Sequence, residues 1–114
     1  MILPLIKTRR KQILLDIDTQ KDFLLVSGKA CVKNHRRVLA NIRRMMAWAR
    51  SSGVPIISTA EVYANKNGDS VVGYCLDGTE GQRKVHYTLV NNRVSFTADG
   101  NIAIGMNILI YYIF

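Results

Sequence analysis

Asp16, Asp18 and Asp22 crowd into one short stretch, and they are the residues best placed to do chemistry. A carboxylate at a strand tip can act as a general base or cap a loop through backbone N–H groups. The other candidates are scattered. Cys31 and Cys75 have no C-x-x-C spacing, and His35 and His86 stand far apart in the chain. Neither pair makes a metal or redox motif, so no metal and no cofactor is expected.

These side chains need elements to hold them. Gln12 to Asp18, QILLDID, is a short apolar run ending in acids and suits a buried strand. Period two puts Leu14, Asp16 and Asp18 on one face. A buried Asp16 is costly unless paired, and its partner is not legible in the sequence. Asp22 to Gly28 reads as a loop. A helix is expected from about Lys33 to Ser52, with Asn34 as N-cap and Gly53 as C′ residue. Val38, Ile42, Met45 and Ala49 recur at helical spacing, with Leu39 and Met46 beside them and arginines between. Val54 to Thr59 is a second strand. Strand, long helix and strand make a βαβ unit with parallel strands. A carboxylate at the C-terminal end of such a strand faces the crevice where ligands bind. Residues 64–83 read as loop. Lys84–Val90 and Arg93–Thr97 flank Asn91-Asn92 and read as a hairpin.

Composition bounds the rest. The 114 residues suffice for one small domain, and 48% are apolar. The net charge is +8, but residues 1–50 hold twelve Lys or Arg against three Asp, and residues 51–114 four against five acids. The basic half reads as a solvated helix face plus a basic tail; no nucleic-acid motif accompanies it. Met1–Ile6 is a poor signal peptide, so a reducing cytoplasm is expected. Ile102–Phe114 carries no charge and is too short to span a membrane as a helix. It reads as a third buried strand or, by its abrupt composition, as a run-on tail foreign to the domain.

Three segments together resemble the isochorismatase-like family of cysteine hydrolases, over about residues 12–99. Asp18-Thr19-Gln20-Lys21-Asp22-Phe23 resembles its D-x-Q-x-D-F signature. Gly53-Val54-Pro55-Ile56-Ile57 is similar to its second strand. Tyr74-Cys75-Leu76-Asp77-Gly78-Thr79-Glu80-Gly81 resembles its H-C-x-x-G-T-x-G loop. The resemblance implies an α/β fold: a parallel β-sheet with flanking helices, Rossmann-like and three-layered. Here the fold is expected to be incomplete and to carry a hairpin insertion. The expected divisions are a basic extension (1–11), a truncated α/β domain (12–101) and an apolar tail (102–114).

The resemblance also implies a function: hydrolysis of an amide or vinyl ether in a small molecule by an Asp-Lys-Cys mechanism. Asp18 matches the catalytic Asp, with loop capping as its alternative role. Phe23 is expected to line the substrate pocket. Gln20, Asp22, Gly78, Thr79 and Gly81 are expected to shape the loops. No position matches the family's Lys or nucleophilic Cys, so the chain is expected to be inactive alone. Cys31 and Cys75 are taken as structural. Where metal-binding members carry Asp and His, this chain has Glu61 and Tyr63, and Tyr74 replaces the His before Cys75. Two other functions compete: a non-catalytic ligand-binding or regulatory domain, and a basic nucleic-acid-binding domain. An uncovered sheet edge predicts a chain that is marginally stable, homo-oligomeric or aggregation-prone.

Overall fold

The computed structural model describes residues 12–64, 73–90, 92–97 and 106–113. The expected basic extension, residues 1–11, lies outside them. The elements are β1 (Leu14–Asp16), α1 (Lys21–Leu24), α2 (His35–Ser51), β2 (Ile56–Tyr63), β3 (Asn92–Thr97) and β4 (Met106–Ile113). Two 3-10 turns, Glu80–Gln82 and His86–Thr88, lie between β2 and β3.

The βαβ unit forms as expected. β1 runs parallel to β2 with Leu14 opposite Ile56 and Asp16 opposite Ser58. α2 connects them. It ends where Gly53 takes φ 67°, and Val54 N–H then donates to Ala49 O at 2.8 Å. That 6→1 bond closes the helix as a Schellman motif. Asn34 sits at the N-cap but makes no side-chain cap bond. Met46 and Ala49 of α2 meet Ile56 of β2 and Val90 in the core. Leu14, Ile42, Val54 and Tyr111 pack around them.

The sheet is mixed rather than all parallel, with strand order β1-β2-β4-β3. β4 is antiparallel to both neighbours and pairs with β2 along all eight of its residues, from Ile56↔Ile113 to Tyr63↔Met106. Thus most of the stretch that resembled an apolar tail is a strand inside the sheet. The expected hairpin is displaced. Lys84–Val90 is no strand: it holds one bridge, Lys84 to Gln20, and the turn His86–Thr88. Arg93–Thr97 does lie in a strand, β3, but its partner is β4. The Lys84 side chain is drawn inward to Asp16, and Thr88 Oγ1 donates to Val85 O at 2.8 Å, which closes a turn. β1 is shorter than expected because Asp18 leaves the extended region at φ 54°. The segment read as a loop from Asp22 begins instead with one helical turn, α1.

Among the described residues one long helix covers one face of the sheet, so the expected third layer is not seen there. No described helix is long and apolar enough to cross a membrane.

Candidate functional site

Asp18 stands just past the tip of β1, in the left-handed region that L-residues seldom adopt. β2 fixes it there. Its N–H donates to Thr59 O and Thr59 Oγ1, both at 3.1 Å, and the Thr59 hydroxyl donates back to Asp18 Oδ1 at 2.8 Å. Thr59 therefore holds both the backbone N–H and one carboxylate oxygen of Asp18.

Glu61, two residues along β2, lies beside it. Burial pushes the Glu61 carboxyl above the ordinary carboxylate range, and a hydrogen bond with Asp18 and its negative charge push it further. The Tyr63 hydroxyl, donating to Glu61 Oε2 at 3.0 Å, pulls the other way. Two carboxyls this close raise the cost of ionising both. Tyr63 is itself raised well above its ordinary value by burial and by Glu61.

Aromatic rings close this side. Tyr74 meets Phe23 edge to face at 5.4 Å and Tyr63 at 5.8 Å. Phe23 is thus linked to Glu61 through Tyr74 and Tyr63. The donor set does not fit a borderline divalent metal: the Tyr63 phenol is held protonated against Glu61, and Tyr74 presents a ring where an imidazole would be needed.

Gln20, Asp22, Gly78, Thr79 and Gly81 make the following contacts. Gln20 is fully buried. Its Nε2 donates to Glu61 O and Gln82 O, both at 2.7 Å, and its Oε1 accepts Glu61 N–H at 2.8 Å. The side-chain amide thereby extends the edge of β2. Asp22, also buried, accepts Lys29 N–H at 2.9 Å and Cys75 N–H at 2.7 Å, so one carboxylate ties two loops. Gly81 packs directly on it: a Cβ there would overlap the Asp22 carboxylate. Gly78 turns the loop at φ 80°, and Thr79 Oγ1 donates to Leu76 O at 2.6 Å.

The sequence alone did not reveal Lys84. Its buried ammonium lies 3.3 Å from Asp16 Oδ2 and donates to Thr19 Oγ1 at 2.9 Å and Thr59 O at 2.7 Å. It also braces Thr59, the residue that pins Asp18. The one signal in the sequence was Asp16 itself, an acid inside an apolar strand that is costly unless paired.

Cys75 is the residue whose N–H Asp22 accepts. It is fully buried, and its thiol is pushed up to about 12 by burial first and then by the charges of Asp22, Glu61 and Asp18. A thiol so placed stays protonated at neutral pH. The unfolded chain deprotonates near the ordinary value of 9.0 while the fold keeps its proton until about 12. The thiol's contribution to stability is therefore complete below pH 9 and is lost as pH rises through the folded value. The expected slope is roughly 1.4 kcal/mol per pH unit. Urea unfolding at pH 8 and pH 10.5 should show it, and Cys75→Ser should flatten it. Cys31 is only half-buried, with Sγ donating to Val32 O at 3.5 Å.

The isochorismatase domain model matches residues 12–91. No curated protein and no solved structure matches the chain.

Proposed function

The chain belongs to the isochorismatase domain family, and from that premise we propose that Asp18 is the general base of a small-molecule hydrolase site. The substrate class is an amide or a vinyl ether. One observation carries the reading: a non-glycine carboxylate is held at φ 54° at a parallel-strand tip and braced from both ends by Thr59. An Asp enters the left-handed region more readily than most residues, and here the Thr59 hydroxyl fixes its carboxylate in place.

In this reading Asp18 takes the proton of an attacking thiol, and Phe23 with Tyr74 forms the apolar wall against which a flat substrate lies. The attacking thiol is not Cys75, whose proton is held too tightly. In this reading Asp18 is the base half of the site, and a base without its nucleophile does not turn over, because such groups act as a unit.

Nicotinamide and a vinyl-ether acid are suitable probes, titrated into the full chain and followed by amide NMR signals with a parallel hydrolysis assay. The expected result is perturbation centred on Asp18, Phe23 and Tyr74, weakened about tenfold by Asp18→Asn, with no hydrolysis above buffer. Binding that ignores Asp18→Asn, or turnover abolished by Cys75→Ser, would overturn the reading. The same titration weighs a purely ligand-binding role, favoured by the protonated Cys75 thiol: such a role keeps the binding but not its dependence on the Asp18 charge.

A further inference from the structure

α2 holds five arginines and no acidic residue. At 100° per residue, Arg50, Arg43, Arg36, Arg44 and Arg37 fall in one sector about 140° wide, with only Ala47, Ala40 and Ser51 between them. This is the outer face of the helix. Ile42, Met46 and Ala49, which pack toward the sheet, lie on the other side. All five arginines are exposed, along about 21 Å of helix. Among the described residues none of them is in an ion pair. Two are tethered by backbone carbonyls: Arg50 donates to Leu89 O at 2.9 Å, and Arg44 Nε to Ala40 O at 3.4 Å. Trp48 borders the sector, four residues on from Arg44, and is 42% exposed.

We propose that this face binds single-stranded nucleic acid, with phosphates on the arginines and a base on the Trp48 indole. A guanidinium presents its donors as a planar fork that matches phosphate oxygens. Ala40 and Ala47 between the arginines leave room for a backbone to come close to the helix. The net charge of +8 draws a polyanion in from a distance. Trp48 selects a strand with free bases, because every unpaired base offers a ring face on which an indole stacks, whereas a duplex keeps those faces covered. A lipid surface is disfavoured by the other side of the helix. An interfacial helix sinks its apolar face among acyl chains, but that face of α2 is already packed on Ile56 and Val90.

Trp48 is the chain's single Trp, so its emission reports the contact directly. The full chain is titrated with oligothymidylate of about twenty nucleotides and with inorganic polyphosphate, which has the charge without the bases. The oligonucleotide is expected to quench Trp48 and to bind at least about tenfold tighter than polyphosphate. Its log affinity should fall against log salt with a slope of about −3, at roughly −0.7 for each phosphate held. Arg36→Gln with Arg43→Gln should make that slope shallower by about 1.4. Lys29→Gln with Arg83→Gln, which removes the same charge elsewhere on the surface, should leave it unchanged. Trp48→Ala, followed by calorimetry, should erase the preference over polyphosphate. All these side chains are exposed, and a circular dichroism melt checks that each variant folds. No binding, equal affinity for the two polyanions, equal slopes in the two paired variants, or tighter binding of a duplex of the same length overturns the proposal. So does a blue shift of Trp48 on phosphatidylserine vesicles with no quenching by the oligonucleotide, which would make the partner a membrane.

Discussion

Lys84→Met is expected to lower the unfolding free energy by about 3–5 kcal/mol. Lys84 is 3% exposed, and its ammonium is the counter-charge of Asp16, a carboxylate that is also buried. Asp16 Oδ2 accepts from Ser58 Oγ at 2.6 Å and from Thr19 Oγ1 at 2.8 Å, but hydroxyls alone do not neutralise a buried anion. Removing the cation leaves that anion uncompensated. Removing both charges does not: Asp16→Leu with Lys84→Met should recover most of the loss, since burying an ion pair costs nearly as much desolvation as its attraction returns. Urea unfolding of the two single variants and the double measures this. A single-variant loss below 1 kcal/mol would show that the pair is wet in solution.

The pair also sets a pH dependence. Burial lowers the Lys84 ammonium below its ordinary 10.5, against the pull of Asp16 and Asp18. Between the folded and unfolded values the unfolded chain binds more protons, so this group makes stability rise as pH approaches 10.5. Cys75 acts with the opposite sign above pH 9. Lys84→Met should therefore steepen the alkaline loss, and Cys75→Ser should expose the rise.

How far these features could be read from residues alone follows from the range of the forces that set them. β1, α2 and β2 answer to local patterns: an apolar run, a 3.6-residue spacing, a glycine that takes a positive φ. Each is visible in the sequence and each is found, with ends shifted by a few residues. Lys84–Val90 has the alternation of a strand, yet it folds as a turn because Asp16, far back in the chain, draws Lys84 inward. No local pattern contains that attraction. β4 is legible as an apolar β-prone stretch, but its seat between β2 and β3 is a matter of sheet order, decided by which edge of β2 lies open. In the site, Asp18, Gln20, Asp22 and Phe23 share one motif and could be read together. Thr59, which holds Asp18, is an ordinary strand residue until its hydroxyl is seen against that carboxylate. Glu61 stood out only as a mismatch at a metal-ligand position, and its closeness to Asp18 needs the parallel register of β1 and β2.

Asp22→Ala is expected to cost a similar amount, about 3–5 kcal/mol, and to loosen the site as well. Asp22 spends its two carboxylate oxygens on backbone donors from different loops, Lys29 N–H and Cys75 N–H. Each charge-assisted bond contributes about 1.5–3 kcal/mol, and alanine leaves the Cys75 donor buried without that acceptor. Asp22→Asn should fall between, because its single oxygen can satisfy one donor while its amide nitrogen opposes the other. The Cys75 loop carries Tyr74, so its release should also part Tyr74 from Phe23 and weaken the ring-current shifts of both in NMR spectra. Gly81 provides the internal check. Gly81→Ala alone should be strongly destabilising, because its Cβ would occupy the space of the Asp22 carboxylate. In the Asp22→Ala background that space is empty and the same methyl should cost far less. The two changes are thus expected to be non-additive, with a coupling of at least about 1 kcal/mol. Strict additivity in a double-mutant cycle would mean that the loop does not pack on Asp22, and that the expected loss from Asp22→Ala has been assigned to the wrong contacts.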